Sequence, residues 1–201
     1  MNKIKYLAAV MIGIAGLGLQ QAQAFQSILN VSNLSGATGP FGTVDISVSG
    51  QTATITFTAA AGYSFGDGSS AAVELNSNSF TPGTISPGNS PTFALNQTAD
   101  GFGNFDLAVD QHDFSVHLSS ITFTVTNTDI GVTWLADGSN VLEFNEKDFD
   151  AAAHIFSDAL GKTGFAGEGP GTPTVPDGGT TVMLLGAALS ALGIVRRYLK
   201  S

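Results

Sequence analysis

The sequence predicts an all-β protein: an antiparallel β-sandwich ectodomain flanked by an N-terminal signal helix and a C-terminal transmembrane helix. Three observations predict it. Residues 25–175 are dense in Thr, Ser, Gly, Asn, Val and Phe, a composition of strands and turns. Within them, apolar residues recur at every second position in short runs separated by turn residues. Long apolar stretches without charge occur near the two ends of the chain, at 7–19 and 181–195.

The first element is the signal segment, residues 1–24. Lys3 and Lys5 make a positive n-region, and Leu7–Leu19 an apolar h-region. Ala22-Gln23-Ala24 is a small-residue cleavage site for signal peptidase, so Phe25 is the expected mature N-terminus. The ectodomain follows, residues 25–166, long enough for one domain with a real core. Thr43–Val48 places Val44, Ile46 and Val48 on one face, and Thr52–Thr58 does the same with Ala53, Ile55 and Phe57. Ser49-Gly50 between them makes a β-hairpin. Further short strands are expected at Ala72–Asn76, Thr92–Leu95, Asn104–Val109, Phe114–Leu118, Ile121–Thr126, Val132–Leu135 and Val141–Phe144. Asn76–Pro91, with three prolines, reads as one long loop or an edge excursion. Around Asp150–Leu160 the residues leave two readings. The alanines favour helix, whereas Phe149, Ala151, Ala153 and Ile155 alternate as in a strand.

Gly167–Thr174, with two prolines and three glycines, is a flexible spacer. Residues 175–201 then contain a breaker, a short hydrophobic helix and a basic tail. Pro176, Gly178 and Gly179 cannot continue regular structure, so the helix begins after them. The run Thr181–Val195 is shorter than the roughly 20 residues of a comfortable span. The snorkelling stems of Arg196 and Arg197 make up part of the deficit. These arginines and Lys200 place the tail in the cytoplasm and the preceding domain outside.

With these parts in order, residues 175–201 resemble a PEP-CTERM-type protein-sorting signal in its VPDSG-like variant. Val175, Pro176, Asp177 and Gly179 match the motif, and Gly178 stands where the variant usually has Ser. An apolar run with arginines alone would be an ordinary tail anchor. The resemblance implies recognition by exosortase, an integral-membrane cysteine transpeptidase-like enzyme, while the protein is held in the inner membrane. Cleavage near the motif would then pass the protein to the cell surface or an exopolysaccharide matrix. The ectodomain also resembles a group of small PEP-CTERM proteins from about Pro40 to Gly167. The shared segments are Gly101–Asp106, Phe123–Thr126, Ala153–Ile155 and Thr163–Phe165. That likeness implies that Phe149–Phe156 is a late strand.

Residues 25–175 hold 15 of the 16 acidic residues but only Lys147 and Lys162 of the 7 basic ones, a net charge of −13. Such a surface repels nucleic acid and anionic headgroups. The chain has no cysteine, which excludes thiol catalysis, disulfides, c-type haem and cysteine-ligated zinc.

His112 and His117 would point to opposite faces of a strand, which does not make a metal pair. His154 stands alone between Ala153 and Ile155, as a satisfied or surface histidine does. Glu143 with Glu146, or Asp106 with Asp110, are glycosidase-like pairs on paper, but that chemistry needs two carboxyls facing each other across a cleft. No Gly-x-Ser-x-Gly elbow is present. Asp67-Gly68 and Asp137-Gly138-Ser139-Asn140 are oxygen-rich turns that could hold calcium, although such turns usually bond their own backbone. Asn30, Asn33 and Asn96 open glycosylation sequons by pattern. The phenylalanines at alternate positions read as core.

The expectation is therefore a non-enzymatic surface or matrix protein with no cofactor and no resident metal, with a role linked to exopolysaccharide. A carbohydrate- or calcium-binding module is the alternative, and a hydrolase the third reading. Ala22 and Ala24 fit the small pockets of signal peptidase, so N-terminal sequencing of the exported protein should begin at Phe25. Recovery of Met1 would refute the signal peptide.

Overall fold

The structure is a computed structural model and describes residues 24–66, 68–87, 91–111 and 117–169. The expected signal helix and C-terminal helix lie outside these residues, and among the described residues there is no helix. Twelve strands follow one another: β1 (Phe25–Leu29), β2 (Val31–Ser32), β3 (Gly42–Ser49), β4 (Thr52–Ala59), β5 (Tyr63–Phe65), β6 (Gly68–Val73), β7 (Phe80–Ser86), β8 (Thr92–Ala99), β9 (Gly103–Gln111), β10 (Ser120–Asn127), β11 (Ala151–Ser157) and β12 (Lys162–Gly167). They form two antiparallel sheets. Sheet A has the order β1-β3-β4-β10-β7. Sheet B has the order β2-β12-β11-β6-β9-β8, with β5 also paired to β11.

Alternation builds the core. Val44, Ile46 and Val48 of β3, Ala53, Ile55 and Phe57 of β4, and Ile121, Phe123 and Val125 of β10 all point inward and are buried. Sheet B answers with Phe65, Val73, Leu107, Val109, Ala153 and Ile155. Phenylalanine rings cross between the sheets. Phe57 lies 6.1 Å from Phe65 and 6.2 Å from Phe123, and Phe123 lies 6.0 Å from Phe93, all centroid to centroid. These separations are those of favourable ring pairs, which add about 0.5–1.5 kcal/mol each beyond burial.

The outer faces of the two sheets differ. On the central strands of sheet A the positions between the core residues are Thr and Ser, with Asp45 of β3 the exception. Thr52 pairs with Thr126, Thr54 with Thr124 and Thr56 with Thr122, and Thr58 stands opposite Thr43. Two of these pairs share hydroxyl hydrogen bonds, Thr52–Thr126 at 2.9 Å and Thr56–Thr122 at 3.0 Å. The five strands of sheet A contain one charged residue, Asp45, and its Oδ1 accepts a hydrogen bond from Gln26 at 2.6 Å.

On sheet B a row of small residues crosses five strands in register: Gly167, Ala152, Ala72, Ala108 and Ala94. Ala152, Ala72 and Ala108 are fully buried although they face away from the main core. Phe102, Phe149 and Phe165 cluster with them. A Cβ on Gly167 would meet Phe102 at 2.6 Å and Phe149 at 3.1 Å, so two rings rest directly on that glycine. Small residues are required there because the rings lie so close to the sheet.

Several expectations are corrected. Val132–Leu135 and Val141–Phe144 are not strands. Around Val132–Leu135 side-chain hydrogen bonds take over from a ladder: Asn127 Nδ2 donates to Val132 O, Asn140 Nδ2 to Thr133 O, and Leu135 N to Asn140 Oδ1. Only Leu142 makes an isolated bridge, to Leu75. The strand expected at Ala72–Asn76 begins four residues earlier, as β6. Phe114–Leu118 lies mostly outside the described residues, and Leu118 makes only a bridge to Phe65. Asn76–Pro91 contains edge strand β7, which fits the edge excursion rather than the loop. Its Pro82 removes a donor that a sheet edge would otherwise present. The strand reading of Phe149–Phe156 is matched by β11, whereas the helix reading is not. Gly167, expected to open the spacer, ends β12, and Glu168 is buried.

Gly167→Val should force Phe102 and Phe149 off the sheet and cost about 1–3 kcal/mol, as overpacking does. A urea midpoint equal to wild type would show that the rings do not depend on that glycine.

Candidate functional sites

The described residues place the expected site residues unevenly. Val175, Pro176, Asp177, Gly178, Gly179, Arg196, Arg197 and Ala22 lie outside them, as do Asp67, His112 and Asp113. Ala24 immediately precedes β1, and Phe25 opens that strand opposite Ile46.

The two described histidines sit on rings. His154 stacks on Phe165 with centroids 4.7 Å apart and planes 15° apart. His117 lies 4.2 Å from Phe156. Each histidine thus has one ring face against a phenylalanine. Among the described residues, no three His, Asp or Glu side chains converge as a metal site. Trp134 is buried in the core and donates Nε1–H to Asn76 O at 3.0 Å, so its face is not a sugar platform.

The oxygen-rich turn bonds its own backbone. Asp137 Oδ1 accepts from Ser139 N at 3.0 Å and Ser139 Oγ at 2.8 Å, and these bonds hold its carboxyl below the usual value. Asp129 is lowered in the same way, by the Gly131 amide first and then by Asn78. Two sequon asparagines are also engaged. Asn30 Oδ1 accepts from Gly169 N at 2.9 Å, and Asn33 Oδ1 from Phe165 N at 2.7 Å.

The carboxylates form an arrangement that the sequence pairs did not anticipate. Asp106 is matched with Glu74, its neighbour on β9's partner lane, rather than with Asp110. Glu74 Oε2 accepts from Asp106 N, and Asp106 Oδ2 accepts from Leu75 N, both at 3.1 Å. Partial burial pushes the Glu74 carboxyl up to about 7, and the charges of Asp106, Glu143 and Glu146 add to the rise. The Asp106 amide opposes it. Glu74 directly follows β6 and Asp106 lies on β9, and each has one carboxylate oxygen committed to a backbone N–H of the other segment. Glycoside hydrolysis instead places its pair on either side of the scissile bond. Glu146 Oε1 is engaged too, by Asn104 N at 3.0 Å.

Asn145 organises the loop that carries Glu143 and Glu146. Its Nδ2 donates to Phe102 O and Asn104 O, each at 3.0 Å. Its Oδ1 accepts from Lys147 N and Phe149 N at 2.9 and 3.1 Å. One buried amide thus fastens the loop to the turn before β9 and aims Phe149 at the alanine row. A lone asparagine gives no sign of this in sequence.

A second carboxyl pair was also missed. Asp150 and Glu168 are 7% and 5% exposed and meet side chain to side chain. Burial, then the hydrogen bond and charge of Glu168, push Asp150 up to about 8.

Comparison with known proteins bears on the tail. Residues 174–199 match the VPDSG-CTERM motif. No curated protein and no solved structure matches the chain. The motif is that of surface proteins sorted by exosortase, and it implies export, anchoring in the membrane and then processing.

The raised carboxyls determine a pH dependence. Glu74 and Asp150 have folded values of about 7 and about 8, above their ordinary values of 4.5 and 3.8. The folded state therefore holds protons that the unfolded chain has already lost. This stabilisation is full below about pH 4 and is lost as pH rises through 7 to 8. The melting temperature should fall between pH 5 and pH 8.5, and Glu74→Gln should flatten the part of the fall below about pH 7. A melting temperature that rises over this range would contradict the protonated state of both groups.

Proposed function

We propose that this chain is an exported protein delivered by exosortase to the cell surface or the extracellular matrix, where its β-sandwich contacts exopolysaccharide without catalysis. The VPDSG-CTERM match at residues 174–199 carries the reading. The start of β1 at Phe25 supports it, because cleavage after Ala24 would leave the first strand whole.

The outer face of sheet A supports a neutral polysaccharide as the partner. It offers rows of Thr and Ser hydroxyls about 4.8 Å apart between strands. Hydroxyls donate and accept, as sugar hydroxyls do. Apart from Asp45 the charges lie elsewhere on a domain that repels anionic polymers. The commitment of Asp137 to its own turn favours this contact over calcium. The engagement of Glu74 and Asp106 by backbone amides supports a non-catalytic role.

The tail provides the direct test. A plain anchor needs only the apolar run and the basic stop. A sorting signal needs its breaker, because the enzyme must meet an unwound segment at the membrane face, with Asp177 held outside the bilayer. Pro176→Ala with Asp177→Ala should leave the protein in the membrane at unprocessed length, while wild type loses its tail. Deleting exosortase should reproduce the mutant. Processing of the double mutant at the wild-type rate would leave only the anchor.

A further inference from the structure

We propose that Asp150 and Glu168 form a proton-dependent latch that fastens the last residues of the folded body and releases them when both carboxyls ionise. Asp150 Oδ1 and Glu168 Oε2 are buried and accept no hydrogen bond from the rest of the protein. Two carboxylates in contact cannot satisfy each other, since neither has a donor. One proton shared between them can, and it turns a repulsion into a charge-assisted hydrogen bond. The proton then belongs to the pair rather than to one residue.

The backbone amides of Asp150 and Ala151 bond the Asp150 carboxyl and favour its ionised form, but burial and Glu168 outweigh them, and the surroundings offer no cation to neutralise the pair. Across from Asp150, β6 continues into Glu74, whose amide donates to Asp150 O. Glu74 is acidic, so it cannot neutralise the pair. Beside β12, β2 and the residue before it bring Val31 and Asn30, which carry no charge. On the preceding loop Lys147 and Asp148 are exposed to solvent. On β11, His154 is stacked on Phe165. Burial favours the shared proton over two charges. The rise of Asp150 to about 8 agrees with this.

The position of the pair gives it a consequence. Glu168 follows β12, and its amide donates to Ala151 O at 3.1 Å. Gly169 N donates to Asn30 Oδ1 at 2.9 Å. Five residues separate Gly169 from Val175. Each residue freed from the body adds about 3.3–3.6 Å of reach to the chain before that motif. The latch needs no assumption about sorting, and only its effect on the tail rests on the sorting reading.

Hydrogen exchange on the purified full chain at pH 6 and pH 9, corrected for intrinsic rates, tests the latch. The Glu168 and Gly169 amides should lose at least tenfold protection at pH 9, while amides of β4 keep theirs. Glu168→Gln supplies a permanent donor to Asp150 and should abolish the pH response. Glu74→Gln should leave the response in place. Equal protection at both pH values in wild type would overturn the proposal, as would an unaltered response in Glu168→Gln or a lost one in Glu74→Gln. If Glu168→Gln does not fold, wild type and Glu74→Gln decide the matter. Loss of tail processing has no bearing on any of these readouts, so failure of the sorting reading stays separate.

Discussion

The contact between the inner faces of the two sheets, made through Phe65, Phe57, Phe123 and Phe93, is the constraint on which the other features rest. A chain without cysteine cannot tie its sheets covalently, and two lysines among fifteen acidic residues leave little scope for ion pairs. The sandwich must therefore hold by burial and ring packing. Phe57 and Phe123 occupy adjacent central strands of sheet A, and Phe65 and Phe93 reach them from opposite lanes of sheet B. With the separation set by these rings, the strand alternation fixes what points outward on each side.

Sheet B is covered on both faces over part of its area, and this explains its composition. Its inner face carries Val73, Leu107, Val109 and Ile155, while the outer face at the same level is reduced to alanine and glycine. Large residues on both sides would leave no room for the Phe102 and Phe149 rings. The loop that brings Phe149 is held by the Asn145 amide, and the same loop sets Glu143 and Glu146 near Glu74. Packing of an apolar cover and crowding of carboxylates thus have one structural cause. Sheet A, open on its outer side, remains threonine-rich and almost free of charge.

Legibility in the sequence followed the strength of the period. β3, β4 and β10 alternate over eight residues, and their buried positions are the ones that alternation indicates. β12 gave little signal, because Gly164 and Gly167 stand where apolar residues would be sought. The reason lies in other parts of the chain: a Cβ at Gly164 would meet Leu34 at 2.8 Å. Val132–Leu135 looked like a strand because it contains Val and Trp, yet Trp134 is buried as a single anchor within irregular chain. Acidic pairs were the hardest to read. Glu74 and Asp106 are 32 residues apart, and only the register of β6 on β9 makes them neighbours. Asp150 and Glu168 meet because β11 turns back into β12. The sorting motif was legible because its information is local, and residues 174–199 match the VPDSG-CTERM motif.

The place of β12 between β2 and β11 also has a mechanical meaning. Six residue pairs join it to β11 and two join it to β2. A tether attached beyond Gly169 would transmit any pull into this strand first. Directed along the strand, that load falls on both ladders at once, so their hydrogen bonds resist together in shear instead of opening one after another. A domain suspended from its C-terminal end is thereby held at a strand flanked on both sides rather than at a free edge.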